Sequence, residues 1–219
     1  MNKYHIGTRL RGFSKKFLKE KRSLFSETED VHYVPHITFV RPFFALNETL
    51  LVENFEDTCK RYVKPMKFNI ENFDLFDLIE NEKKVLYSKV NPDKKMNSFI
   101  ESLEKNLSGI ISYEENSPSD RRNLHATVYI GENYKEIKKF IEEDFFIDQY
   151  LLRTYLLKDK KILYEYDFFL QKLLNRENAL DKKVFTQTIE SLKNKTGFSP
   201  SKEGFVKNYS PSGTRAKRL

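Results

Sequence analysis

The chain has 219 residues and a net charge of +7, from 39 Lys and Arg against 32 Asp and Glu. That length suits one domain or two small lobes with a sizeable core, and 19 Phe with 12 Tyr supply the core material despite a mean hydropathy of −0.65. A chain disordered throughout is thereby excluded. No apolar run is long enough to span a bilayer. Residues 1–10 show no apolar signal core and already alternate like a strand, so a cytoplasmic protein is expected. The single cysteine, Cys59, excludes an internal disulfide and fits a reducing compartment; it reads as a small buried hydrophobe. The charge is uneven. Residues 175–219 hold ten basic and four acidic side chains, a net +6, whereas residues 1–174 hold 29 and 28. The body is nearly neutral and the basic tail suits contact with a polyanion.

In chain order, Tyr4 to Leu10 alternates and reads as a strand, broken by Gly12. Phe13, Phe17, Leu18, Leu24 and Phe25 fall at helical spacing and predict a helix over 14–24. A second strand is expected over Tyr33 to Phe39, stopped by Arg41-Pro42-Phe43-Phe44, since proline cannot donate into a ladder. Asn47 suits the N-cap of a helix reaching about Val63, with Leu50, Leu51, Phe55 and Cys59 inward and Pro65 beyond its end. Lys67 to Phe76 and Lys84 to Val90 read as strands, joined by a turn at Asn81-Glu82. Pro92 is expected to open a helix carrying Met96, Phe99, Ile100, Leu103 and Leu107, which Gly109 ends. Residues 116–122 are polar and contain Pro118, a loop. Asn123 to Ile130 follows as a strand, then a short amphipathic helix from Tyr134 to about Glu143. Tyr150 to Leu157 and Leu163 to Leu170 read as a final strand pair around Asp159-Lys160-Lys161. Leu180, Val184, Phe185, Ile189 and Leu192 predict a helix over 176–195, ended by Gly197, and 199–219 reads as an irregular tail. The organisation is thus a body over 1–174 and a helix with a basic tail over 175–219.

Two short motifs stand out, His36-Ile37-Thr38 and His125-Ala126-Thr127, each in an apolar, β-branched run. Side chains two apart on a strand share a face, so each His has a hydroxyl beside it. Ile37 and Phe39, and Ala126, Val128 and Ile130, would then face a core. The order resembles a duplication, each half giving a His-x-Thr strand, a helix and paired strands, and two lobes of similar size. Two histidines flanking one phosphorus can divide the proton transfers, one taking a proton from the attacking oxygen and one protonating the leaving oxygen. Threonine hydroxyls can donate to the non-bridging oxygens as charge builds. No His-Glu-x-x-His, cysteine pair, phosphate-binding glycine loop or Asp-rich metal signature is present. His5 and His32 lack a His-x-Thr partner and read as strand or loop side chains rather than ligands.

Pro35-His36-Ile37-Thr38-Phe39-Val40-Arg41-Pro42-Phe43, with His125-Ala126-Thr127-Val128, resembles the paired motifs of the 2H phosphoesterase superfamily, in its 2′,5′ RNA ligase-like and cyclic phosphodiesterase branches. Leu124 stands where that family often has proline, and the resemblance covers about residues 3–171, not the tail. It implies an α+β, bilobal fold in which two mostly antiparallel sheets face a central cleft with helices outside. It further implies a phosphodiesterase needing neither metal nor cofactor, acting on RNA or nucleotide 2′,3′-cyclic phosphates or 2′-5′ linkages, with ligation as the reverse step. His36 and His125 would be the catalytic pair and Thr38 and Thr127 the phosphate binders. On a cyclic phosphate, His125 would act as base toward water and His36 as acid. Arg41 could neutralise phosphate charge, and Tyr129, Tyr155 and Tyr164 could line the cleft. The expected partners are RNA ends or small oligonucleotides, with the tail free to touch nucleic acid, no membrane, and a monomer. Two alternatives remain open: cleavage of cyclic oligonucleotide or 2′-5′ oligoadenylate signals, and a non-catalytic nucleotide- or RNA-binding module.

Overall fold

Tyr4, Ile6 and Thr8 are buried on one face of β1 (Lys3–Arg9), while His5 and Arg9 alternate with them on the other. The computed structural model describes residues 2–25, 34–77, 83–113, 123–131 and 140–198. After β1 come α1 (Gly12–Arg22), β2 (His36–Ala45) and α2 (Glu48–Lys60), then the hairpin β3 (Lys67–Asp77) and β4 (Lys84–Pro92). α3 (Lys94–Leu107), the short β5 (Ile111–Ser112), β6 (His125–Gly131) and β7 (Phe146–Tyr150) follow. The chain closes with β8 (Arg153–Lys158), β9 (Lys161–Asp167), β10 (Lys172–Asn175), α4 (Arg176–Leu180) and α5 (Lys182–Thr196).

The fold is α+β with two antiparallel sheets. One has the order β10-β9-β8-β1-β2-β5 and the other β6-β4-β3-β7. Each His-x-Thr strand belongs to a different sheet, and β2 and β6 approach within 8 Å. The lobes are not the two halves of the chain. The β3–β4 hairpin that follows the first motif joins the second motif's sheet, and the β8–β9 hairpin late in the chain joins the first. Sequence order showed the repeated elements but could not show that the hairpins change places.

A single core spans both sheets. Phe17 of α1 packs against Phe73 of β3 and Phe145 just before β7, and Phe99 of α3 meets Phe39, Tyr62 and Phe168. Rings of this size bury 150–250 Å² each, so truncating one to Ala costs roughly 3–5 kcal/mol. Cys59 is fully buried among them, as its type suggests. Caps fix the helix starts. Asn47 Oδ1 accepts from the Leu50 amide at 3.1 Å, and Asp93 Oδ1 from Met96 at 2.8 Å. Asp93 rather than Pro92 therefore opens α3, and its Oδ2 also takes the Lys67 amide at 3.0 Å.

Further differences from the sequence pattern have local causes. β2 runs through Pro42, because two residues of β2, Arg41 and Pro42, lie opposite His5 alone in a bulge where no ladder donor is needed. The predicted 176–195 helix is two helices, since Asp181 caps a new start by accepting from the Lys183 amide at 2.7 Å. Gly197 ends α5 in the left-handed region, φ 71°. The strands β5, β7 and β10 are too short or too irregular to alternate visibly. α5 is stitched to the first sheet through buried charge. The Arg153 guanidinium donates to Asp167 Oδ2 at 2.7 Å, to Thr188 Oγ1 at 2.7 Å and to the Ala179 carbonyl at 3.1 Å. His32, the Asn81-Glu82 turn, the 116–122 loop, most of the Tyr134–Glu143 helix and the 199–219 tail lie outside the described residues. No described helix is long and apolar enough to cross a membrane.

Candidate active site

The two motif strands repeat one another residue by residue. His36-Ile37-Thr38-Phe39-Val40 and His125-Ala126-Thr127-Val128-Tyr129 share the sequence half-buried, buried, half-buried, buried, buried. In each, one extra residue directly after the threonine bulges from the ladder. Val40 pairs with Ile6 and Thr38 with Gly7, leaving Phe39 over; Tyr129 pairs with Leu86 and Thr127 with Tyr87, leaving Val128 over. A bulge re-aims the residues beyond it. This corrects two expectations for the second motif: Tyr129 turns into the core, 3% exposed and stacked on Phe25 at 4.2 Å, and Ile130 turns out, 51% exposed.

Both imidazoles are anchored alike. His36 Nδ1 lies 3.1 Å from the Val34 carbonyl and His125 Nδ1 lies 3.0 Å from the Asn123 carbonyl. A carbonyl only accepts, so Nδ1 carries the proton in the neutral ring and Nε2 is left as the basic nitrogen. Burial holds His36 below the usual imidazole range, partly offset by the Val34 contact, and His125 and Arg9 push it lower still. His36 thus feels the charge of His125 across the lobes.

Sequence reasoning passed over the residues that surround them. His5 projects from β1 with its Nε2 3.0 Å from Thr38 Oγ1, and its ring meets His36 edge-on at 5.8 Å. Burial, then the neighbouring His36, lowers its pKa to about 4, so it is neutral near pH 7. Arg9, opposite His36 in the β1–β2 register, lines the same cavity of about 750 Å³. Gly7, between them, leaves room for Tyr155. A Cβ there would overlap the Ile37 carbonyl oxygen and lie 2.7 Å from the Tyr155 hydroxyl. The signal was the polar alternation His5, Gly7, Arg9, but nothing local tells that β1 is the strand beside β2.

Tyr155 does line the cavity, although it is 2% exposed and burial raises its hydroxyl pKa. Tyr164 does not. It pairs with Leu156, which pairs with Ile6, and so lies on the sheet face opposite His5, Gly7 and Tyr155. Arg41 is held over the Tyr113 ring at 4.1 Å and is not among the residues lining the cavity with His36. On the second lobe, the His125 ring sits edge-on to Phe76 at 5.6 Å and Tyr87 at 5.3 Å. Phe76 is 38% exposed, an aromatic face beside the histidine. Among the described residues no three His, Cys, Asp or Glu side chains come together as metal ligands would.

No protein-family model and no curated protein matches the chain. Among solved structures, the chain is similar to two of Usb1 of Kluyveromyces marxianus, one of them with uridine monophosphate. Each shares 9% identity over 80% of this chain, covering 98% and 97% of the other, with a TM-score of 0.41. Identity that low leaves the site to be read from its own side chains.

Proposed function

We propose that the protein is a phosphodiesterase of the 2H type, cleaving RNA or nucleotide 2′,3′-cyclic phosphates or 2′-5′ linkages with His36 and His125. The observation that carries this is the matched anchoring of the two imidazoles by Nδ1 on facing strands, each with a threonine two residues on. Pure binding has no need of two imidazoles anchored alike, each with its Nε2 left as the basic nitrogen.

In this reading the roles are the reverse of those the sequence suggested, supported by the burial that lowers the His36 pKa. A ring kept neutral by burial suits a base, so His36 Nε2 takes the proton of the attacking water. The water oxygen bonds to phosphorus, the bond from phosphorus to the ribose leaving oxygen breaks, and that oxygen takes its proton from His125. Thr38 and Thr127 hydroxyls donate to the non-bridging oxygens, and Arg9 faces the charge that builds there. With its proton on Nε2, His5 donates to Thr38 Oγ1 and leaves the threonine's own hydrogen for the phosphate. Phe76 and Tyr87 offer a stacking surface for a base beside His125.

The test is a panel of uridine 2′,3′-cyclic phosphate, a 2′-5′ dinucleotide and a 3′-5′ dinucleotide, with wild type, His36→Ala and His125→Ala. Either substitution should lower kcat/KM on the cleaved substrate by at least about 10²-fold, and chelator should leave wild-type turnover unchanged. Wild-type rates in either variant would refute the mechanism.

A further inference from the structure

The cavity does not stop at the histidines. Its lining continues from Arg9 and His36 past Tyr155 to Lys3, Pro42, Leu157 and Lys160. Along β1, the six steps from Arg9 to Lys3 span about 20 Å, more than one nucleotide requires. The far end is built rather than incidental. The β8–β9 turn is clamped onto the end of β1 by the Asp159 amide donating to the Lys3 carbonyl at 2.9 Å and the Lys3 amide donating to Asp159 Oδ1 at 3.0 Å. Asp159 thereby directs its carboxylate back to the backbone, and Lys158 beside it is paired with Glu48 at 2.6 Å. Lys160 occupies the second central turn position with φ 66°, and Asp159 the first with φ 46°. Glycine is the residue that relaxes such a position, so a lysine here presents its ammonium at a conformational cost.

We propose that this groove is the track for the nucleotides adjoining the scissile phosphate of a single-stranded oligonucleotide. Lys3 and Lys160 contact a backbone phosphate roughly two nucleotides from the one held between His36 and His125, and Pro42 and Leu157 form the apolar walls between. The inference rests on the phosphodiesterase reading and adds to it a subsite at Lys3 and Lys160 for a second phosphate, which favours an oligonucleotide end over a free mononucleotide. The near-neutral body agrees, because a short track of two or three cations suits a terminal segment and not a long polyanion.

The experiment measures kcat/KM for uridine 2′,3′-cyclic phosphate and for di-, tri- and tetranucleotides ending in the same group. In wild type the value rises to the trinucleotide and then levels. In Lys160→Gly, which relaxes the turn and so keeps the fold, the trinucleotide-to-mononucleotide ratio falls about three- to fivefold, the worth of one solvent-exposed charge contact. Raising the salt narrows the same ratio in wild type, and narrows it less in the variant, where Lys3 alone remains. Turnover of the mononucleotide with no gain on lengthening, or a Lys160→Gly ratio equal to wild type, overturns the track and leaves the catalytic reading standing. No turnover of any length overturns both.

Discussion

His5 makes the acid stability of the protein a direct report on the site. Its pKa is about 4 in the folded chain against 6.5 when unperturbed, because burial and the neighbouring His36 disfavour its charge. Between those values the unfolded chain binds a proton that the folded chain refuses, so folding stability falls as the pH drops from 6.5 towards 4. Above 6.5 both states are neutral and His5 contributes no pH dependence. Over pH 7 to 5 the loss from this one residue is about 2 kcal/mol, or roughly 4–8 °C in Tm for a chain of this length. His5→Gln removes the titration while keeping an amide N–H that can reach Thr38. Urea denaturation of both proteins at half-unit pH steps gives the comparison. The variant's stability should decline less steeply than wild type by about that amount, while its kcat/KM stays within about tenfold of wild type. Parallel stability curves would refute the assignment of His5 as a buried neutral imidazole.

Gly7→Ala should destabilise the protein by about 2–3 kcal/mol, read by thermal denaturation, because the Ile37 carbonyl and the Tyr155 hydroxyl already fill the space for a methyl group. Asp167→Ala should cost about 3–5 kcal/mol in urea denaturation, since it strands Arg153 beneath α5 without its closest anionic partner. Tyr164→Ala should keep kcat/KM within about twofold of wild type, because its ring lies on the sheet face away from His5 and Tyr155, whereas Arg9→Ala should lower it by about 10-fold or more. Both are steady-state assays on the cleaved member of the substrate panel.

What could be read from the residues alone depended on how locally each feature is encoded. The motif strands announced themselves because His-x-Thr in an alternating run places its own side chains, and Asn47 and Gly197 mark helix ends through contacts only three or four residues away. Met96, Phe99, Ile100, Leu103 and Leu107 lie on one helical stripe and are all buried in α3. The bulges at Phe39 and Val128 were illegible, because a bulge exists only relative to the partner strand. Tyr129 and Ile130 were consequently assigned to the wrong faces. Tyr164 failed for a related reason, its face being set by pairing with Leu156. His5 and Arg9 were passed over because their importance comes from β1 lying between β2 and β8, a neighbour relation spanning more than 140 residues from Gly7 to Tyr155. Pro42 misled in the opposite sense, as a strand can carry proline wherever its partner asks for no hydrogen bond.

The exchanged hairpins bear on how a substrate gets in. The backbone passes between the two sheets four times, from β2 to β3, β4 to β5, β5 to β6 and β7 to β8. A jaw that swings on one linker needs a single crossing and an interface that can part. Here, four tethers and a continuous core oppose such a rotation. The placing of His36 relative to His125 is therefore set by the backbone weave itself, and under the proposed reaction a substrate would enter a standing groove rather than a closing jaw.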